Sequence, residues 1–174
     1  MSRAGAAAAS ACPGCGLVLD ANDGPTHPYL GASAACWALY GELLAREFGP
    51  LDYPPEHRLT MDAYAVQHPG VPERRSVQSV AVHLMSLCLV LERGLAPERA
   101  TPVLGRLPKK DLDLRWLEPP RPNGTLTLRT PLEAPAGEEH ARAVEAWARD
   151  VWEAWSAHHD TARGWLDAAF ATAA

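Results

Sequence analysis

Lysine is nearly absent: Lys109 and Lys110 are the only lysines among sixteen cationic residues, and no basic block exists to meet a phosphate backbone. Twenty-one Asp and Glu outweigh those cations, leaving a formal charge of −5, so nucleic acid is not the default partner. Long apolar runs are missing too; none reaches the roughly 18–20 residues that a membrane-spanning helix needs. Residues 1–11 hold one arginine and many alanines but no Leu, Ile, Val or Phe, so the apolar stretch of a secretory signal is lacking. Ala9-Ser10-Ala11-Cys12 has a faint lipoprotein-like look, but too little apolar chain precedes it. Several chemistries are excluded by absence as well. There is no G-x-S-x-G elbow, no phosphate-binding glycine loop and no dinucleotide fingerprint.

What is present suits a packed domain. The 174 residues are 47% hydrophobic and 21% charged. A chain of this size buries roughly 70% of its unfolded surface. We expect a single domain over 1–174, mainly α-helical and bundle-like, with an N-terminal zinc-knuckle loop region and a small two-stranded β ribbon. Residues 1–11 read as a flexible tail. Residues 12–36 are rich in Gly, Pro, Asn and Asp and read as the knuckle region.

Residues 37–94 form the helical core. Ser33 is a good N-cap for a helix over 34–48, which Gly49-Pro50 ends. Thr60 caps a short helix over 61–67, stopped at His68-Pro69-Gly70 because the residue before proline is pushed out of the helical region. A third helix spans 75–92 and closes at Gly94. The proline-rich stretch 95–137 alternates at Leu112, Leu114 and Trp116 and again at Leu126 and Leu128, which predicts the ribbon. Residues 138–170 read as a long helix, or a pair broken at Gly164. One stripe of it carries Val144, Trp147, Val151, Trp155, Trp165, Leu166 and Ala169 together with His140 and His158. At most one of the adjacent His158 and His159 can face inward.

The sharpest motif is Cys12-Pro13-Gly14-Cys15-Gly16. A tight turn of this kind brings two thiolates to one point, and Gly16 permits the positive φ the turn needs. Zinc takes four ligands in a tetrahedron, so two more are required. Cys36 lies in the first turn of the helix that Ser33 caps, where the helix dipole favours a thiolate. This order of knuckle, loop and helix start resembles a treble-clef zinc finger. Such fingers take two cysteines from that first turn, whereas here Ser33 stands in place of one. His27 is the nearest candidate for the fourth ligand; Asp20, Asp23 or a distant histidine are alternatives. The same two cysteines could serve as a redox pair, but that motif expects a strand before it and a helix opening at Cys12, whereas an alanine tail precedes and Gly16 follows. Unligated thiols are the third reading.

Asp62, His68 and His83 form a second set. His83 sits in a segment apolar on nearly every side, Val80 to Leu91, so its helix is expected to be central and its imidazole to need polar partners. A core histidine satisfied by Gln67, Gln78 or a serine is the simpler account. The functional one is a catalytic site in which Asp62, His68 and His83 hold a second metal or perform acid–base chemistry between helices. His158 belongs among the candidate ligands, and His140 among the partners of His83. No H-x-x-x-H spacing supports a metal on one helix face.

Cys12-Pro-Gly-Cys-Gly, the stretch Asp23-Gly-Pro-Thr-His-Pro-Tyr and Ala35-Cys-Trp-Ala-Leu-Tyr-Gly-Glu resemble an uncharacterised bacterial family of small proteins. So do Asp62-Ala-Tyr-Ala-Val-Gln-His-Pro-Gly and Ser79-Val-Ala-Val-His-Leu-Met, covering roughly the first half of the chain. The resemblance implies no activity, but it puts the knuckle, His27, Cys36, His68 and His83 in one unit. The expectation is a small cytoplasmic protein holding one structural zinc through Cys12, Cys15, His27 and Cys36. Its role would be that of an interaction or accessory protein whose Trp-rich C-terminal helix meets a partner or a second copy. The alternative is a metal-dependent enzyme, a hydrolase for example.

Overall fold

The structure is a computed structural model that describes residues 8–49, 53–108 and 112–173. The first seven residues of the expected tail and the pair Lys109-Lys110 lie outside the described residues. The chain is mainly helical, with one small antiparallel sheet.

That sheet is not where alternation placed it. Strands β1 (Ser10–Ala11) and β2 (Val18–Leu19) flank the cysteine turn, with Ser10 opposite Leu19 and Ala11 opposite Val18. The end of the expected tail is therefore one arm of the knuckle. Residues 112–128 form no strand. Their alternating leucines are anchors instead: Leu117 and Leu128 are buried, while Leu112, Leu114 and Leu126 pack on the core's edge. An irregular strap with prolines at 119, 120 and 122 has too few N–H groups to build a ladder.

Helix α1 (Ala34–Glu47) starts as Ser33 predicts; the Ser33 hydroxyl accepts the Cys36 N–H at 3.2 Å. Helix α2 (His57–Gln67) begins a turn earlier than expected. Thr60 is therefore no cap, and its hydroxyl donates to Glu47 Oε1 at 2.6 Å. Helix α3 (Arg74–Leu87) runs into a π-helical turn over Cys88–Glu92, with Gly94 at φ +68° closing it. Helix α4 (Pro97–Arg106) and the short α5 (Arg129–Glu133) occupy the stretch read as turns and ribbon. Pro97 sits in the first turn of α4, where its missing N–H costs nothing.

The C-terminal pair is α6 (Glu138–Ala154) and α7 (His159–Ala173). The break falls at Trp155 and the 3-10 turn Ser156–His158, not at Gly164, which lies inside α7. A glycine in a helix costs only about 1 kcal/mol. Seating the Trp155 ring, by contrast, demands a local change of direction. His159 then turns inward, its ring stacked on Trp152 at 3.8 Å, while His158 reaches the Glu118 carbonyl at 2.8 Å.

The His83 helix is central, as expected, packing against α2, α4, α6 and α7, and α2 shares that position against α3, α4 and α6. The six α2 residues from Asp62 to Gln67 and the following His68 are all screened from solvent, and the Trp stripe of α6 and α7 closes over this core. Trp147 and Trp155 are fully buried, so the rings offered to a partner by the sequence pattern form the interior. Their N–H groups are satisfied there: Trp147 Nε1 donates to Gln67 Oε1 at 3.1 Å and Trp155 Nε1 to Asn123 Oδ1 at 2.8 Å. Gln67 and Asn123 also exchange side-chain bonds with each other's backbone, 2.8 Å to Asn123 O and 3.1 Å to Gln67 O. The C-terminal end of α2 is thus clamped one residue before His68.

A buried carboxylate ties the other end. Glu47 accepts from Thr60, from His57 Nδ1 at 2.5 Å and from His140 Nε2 at 3.0 Å, while His140 Nδ1 faces the Pro131 carbonyl at 3.0 Å. Burial raises the Glu47 pKa, but the bonds from His57, Thr60 and His140 outweigh it and hold the carboxyl below its ordinary value. A depressed carboxyl stabilises the fold above the unfolded-state pKa, and that contribution is lost as pH falls through the folded-state value. Glu47→Gln should therefore cost on the order of 2 kcal/mol at pH 7. In urea titrations the gap to the wild type should narrow below about pH 4; a gap independent of pH would contradict this account.

Candidate metal centre

The knuckle is a turn closed by two backbone bonds, Gly16 N–H to Cys12 O at 2.9 Å and Cys12 N–H to Leu17 O at 2.9 Å. Gly16 has φ +74°, which a side chain would resist. Gly14 is required for a different reason. A Cβ there would run into the His68 ring and sit 2.8 Å from Gln67 O, so the turn can rest on the end of α2 only because Gly14 lacks one.

That contact reveals the fourth member of the cluster. Cys12, Cys15, Cys36 and His68 place their donor atoms within 4.8 Å of one another. Cys15 Sγ lies 3.8 Å from Cys36 Sγ, and Cys36 Sγ lies 3.4 Å from His68 Nε2. Tetrahedral zinc, with bonds of about 2.3 Å to sulfur and 2.0–2.1 Å to nitrogen, demands S···S and S···N edges of about 3.8 and 3.6 Å. These two edges agree to within about 0.2 Å, and Cys15 and Cys36 are far beyond the ~2.05 Å of a disulfide. All four cysteines are free thiols.

The surroundings prepare the ligands. His68 Nδ1–H donates to Tyr64 O at 2.7 Å, which turns the lone pair of Nε2 toward the sulfurs. Ser33 N–H donates to Cys12 Sγ at 3.4 Å, and the Tyr64 hydroxyl to Cys36 Sγ at 3.7 Å. Cys12, Cys36 and His68 are buried, while Cys15 is partly exposed. Without a metal, hydrogen bonds from the Cys15 and Cys36 thiols pull the Cys12 thiol well below its usual value. Cys36, donating to Cys12 and Cys15 and buried, is pushed well above it. Burial lowers the His68 pKa, but the Cys12 and Cys15 sulfurs overcome this and raise it to about 9. Several protons thus share a small buried volume around sulfur, an arrangement that a dication relieves by replacing them.

His27, the fourth ligand expected from spacing, is not in this cluster. Its ring packs edge-on against Tyr29 at 4.3 Å and Trp37 at 4.9 Å. Burial lowers its pKa, consistent with a neutral aromatic role. The sequence reading names His68 in the Asp62–His83 set and leaves the fourth ligand open to a distant histidine, a place His68 fills in this cluster.

The set Asp62, His68 and His83 does not converge as one unit: His68 joins the thiols, while Asp62 and His83 pair elsewhere. Fully buried Asp62 accepts from His83 Nδ1 at 2.7 Å, Ser86 Oγ at 2.5 Å and Arg58 Nε at 3.0 Å. Arg58 Nη2 lies 2.7 Å from Asp62 Oδ1 as an ion pair, and Nη1 donates to the Thr101 hydroxyl at 3.0 Å. This network ties α2 to α3 and α4. Sequence reading singled out neither Arg58 nor Ser86; both lie one helical turn from residues it did name.

Fold and site together define a mainly helical protein in which an N-terminal hairpin, the start of α1 and the end of α2 bring together a Cys3His cluster that could hold a metal. The chain matches the model of a family of unknown function, DUF5946, over residues 10–156, and belongs to that family. The match takes in much of the second half of the chain, up to residue 156, as well as the motifs that suggested it. No curated protein and no solved structure matches.

Proposed function

We propose that the chain is a small cytoplasmic zinc protein in which Cys12, Cys15, Cys36 and His68 hold one structural zinc, and that it acts as an accessory or interaction protein. The supporting observation is the gathering of four donors from three separate elements within 4.8 Å of one another, one of them oriented by its own hydrogen bond to Tyr64. Three sulfurs and one imidazole suit zinc over harder cations, and four protein ligands favour a structural over a catalytic role. The knuckle followed by a ligand in the first turn of α1 supports a treble-clef-like reading, with His68 at the end of α2 replacing the second helix cysteine. No helix among the described residues is long and apolar enough to cross a membrane.

The test is elemental mass spectrometry on untagged protein purified without chelator. One zinc per chain is expected, retained in His27→Ala and lost in His68→Ala. Zinc retained by His68→Ala and lost by His27→Ala would overturn the assignment.

A further inference from the structure

The metal centre is not sealed. A cleft of about 260 Å³ opens beside it, floored by the knuckle from Cys12 to Gly16 and walled by the strap from Pro119 to Asn123. Five of its lining residues are prolines, Pro13, Pro69, Pro119, Pro120 and Pro122, and none of these has an N–H to donate to sulfur. Asn123 lines it too, but its amide is committed to Val66, Gln67 and Trp155. Arg121 is the one charged residue of the lining.

The three sulfurs differ in this setting. Cys12 is buried and receives the Ser33 N–H; Cys36 is buried and receives the Tyr64 hydroxyl. Cys15 is partly exposed and lines the cleft, and its hydrogen-bonding contacts are to its fellow ligands, Cys36 and His68 among them, with no backbone N–H or hydroxyl donating to it among the described residues. Hydrogen bonds to a thiolate tie up the electron pair that would attack, so the undamped sulfur is the reactive one. Three thiolates and a neutral imidazole around Zn²⁺ sum to a charge of about −1, which keeps sulfur electron-rich.

We infer that the cleft is a reaction site in which Cys15 accepts a carbon group from a small soft alkylating electrophile, favoured when that electrophile carries an anionic group for Arg121 to meet. The Cys15 sulfur donates an electron pair to carbon, forming an S–C bond. The bond from carbon to the leaving group breaks, and the leaving group departs with its pair as an anion. No proton or outside oxidant is needed, and the product is a thioether at Cys15. This rests on the zinc reading above.

Iodoacetamide and iodoacetate serve as neutral and anionic probes of the zinc-loaded full chain, read by peptide mapping over time. Cys15 should be modified at least tenfold faster than Cys12, Cys36 and Cys88. Cys88 is a useful reference, because burial and Glu92 push its thiol up to about 11. Arg121→Gln, an exposed change, should lower the iodoacetate rate several-fold relative to iodoacetamide. Modification elsewhere first, or an unchanged ratio in Arg121→Gln, overturns the proposal. Metal analysis of the same sample separates the two readings. A zinc-free chain still alkylated first at Cys15 removes the zinc and keeps the cleft, whereas a zinc-loaded chain alkylated elsewhere does the reverse.

Discussion

Cys36→Ser should strip the proposed zinc and abolish cooperative unfolding at 37 °C. Cys36 is fully buried, with Cys15 Sγ at 3.8 Å, His68 Nε2 at 3.4 Å and the Tyr64 hydroxyl at 3.7 Å. A structural zinc contributes apparent binding free energies of about 10–16 kcal/mol at pH 7. The net stability of a domain is only about 5–15 kcal/mol. Losing one of four ligands therefore removes a quantity as large as the whole margin. The damage should spread along a pile of rings, since Tyr64 packs on His68 at 4.0 Å and stacks on Tyr40 at 3.8 Å. Near-ultraviolet circular dichroism should lose its aromatic signal together with the zinc. A variant that keeps full zinc content and melts within a few degrees of the wild type would remove Cys36 from the site.

Asp62→Asn should produce the second large effect, with the opposite metal signature. The carboxylate receives Arg58, His83 and Ser86 in a site closed to solvent. An amide cannot face that many donors, and it leaves the Arg58 charge uncompensated. Breaking a buried pair in this way costs about 3–5 kcal/mol. At roughly 2–4 °C per kcal/mol for a chain of this length, the melting temperature should fall by about 6–20 °C. Zinc content should stay at one per chain, because no described hydrogen bond links Asp62 to the cluster. Loss of metal along with stability would mean the two networks act as one.

The sequence showed most where a residue's chemistry is local. Ser33 capping α1, the knuckle turn with its glycine at positive φ, and the stop before Pro69 all depend on neighbours within four positions, and all appear in the structure. Cys36 followed from the same logic, since a cap fixes which residues fall in the first turn. His68 did not, because its meeting with the knuckle is a tertiary contact set by the missing Cβ of Gly14 and by the Gln67–Asn123 clamp. Spacing alone favoured His27, which is near in sequence and turned toward Trp37 instead.

The misplaced ribbon has a similar cause. Alternation at Leu112–Trp116 and Leu126–Leu128 records which side of an extended strap faces the core, and an extended strap has the same period as a strand. Asp150 shows what holds one end of it: its carboxylate accepts Thr125 N–H at 2.6 Å and Leu126 N–H at 2.9 Å, in place of a neighbouring strand. The Trp stripe was read correctly as a face, but periodicity cannot say whether a face meets a partner or the chain's own helices.

The origin of the fourth ligand also decides how portable the knuckle is. Residues 8–49 carry three of the four donors, and the last comes from the far end of a helix held in place by Trp147, Trp155 and Asn123. Cut out as a minidomain, that segment would keep its hairpin and cap but leave one coordination position to water. Grafted onto another scaffold, it would need a histidine presented at the same angle. The N-terminal unit is thus no autonomous finger that could be shuffled between proteins, but one half of a joint whose other half is the helical body.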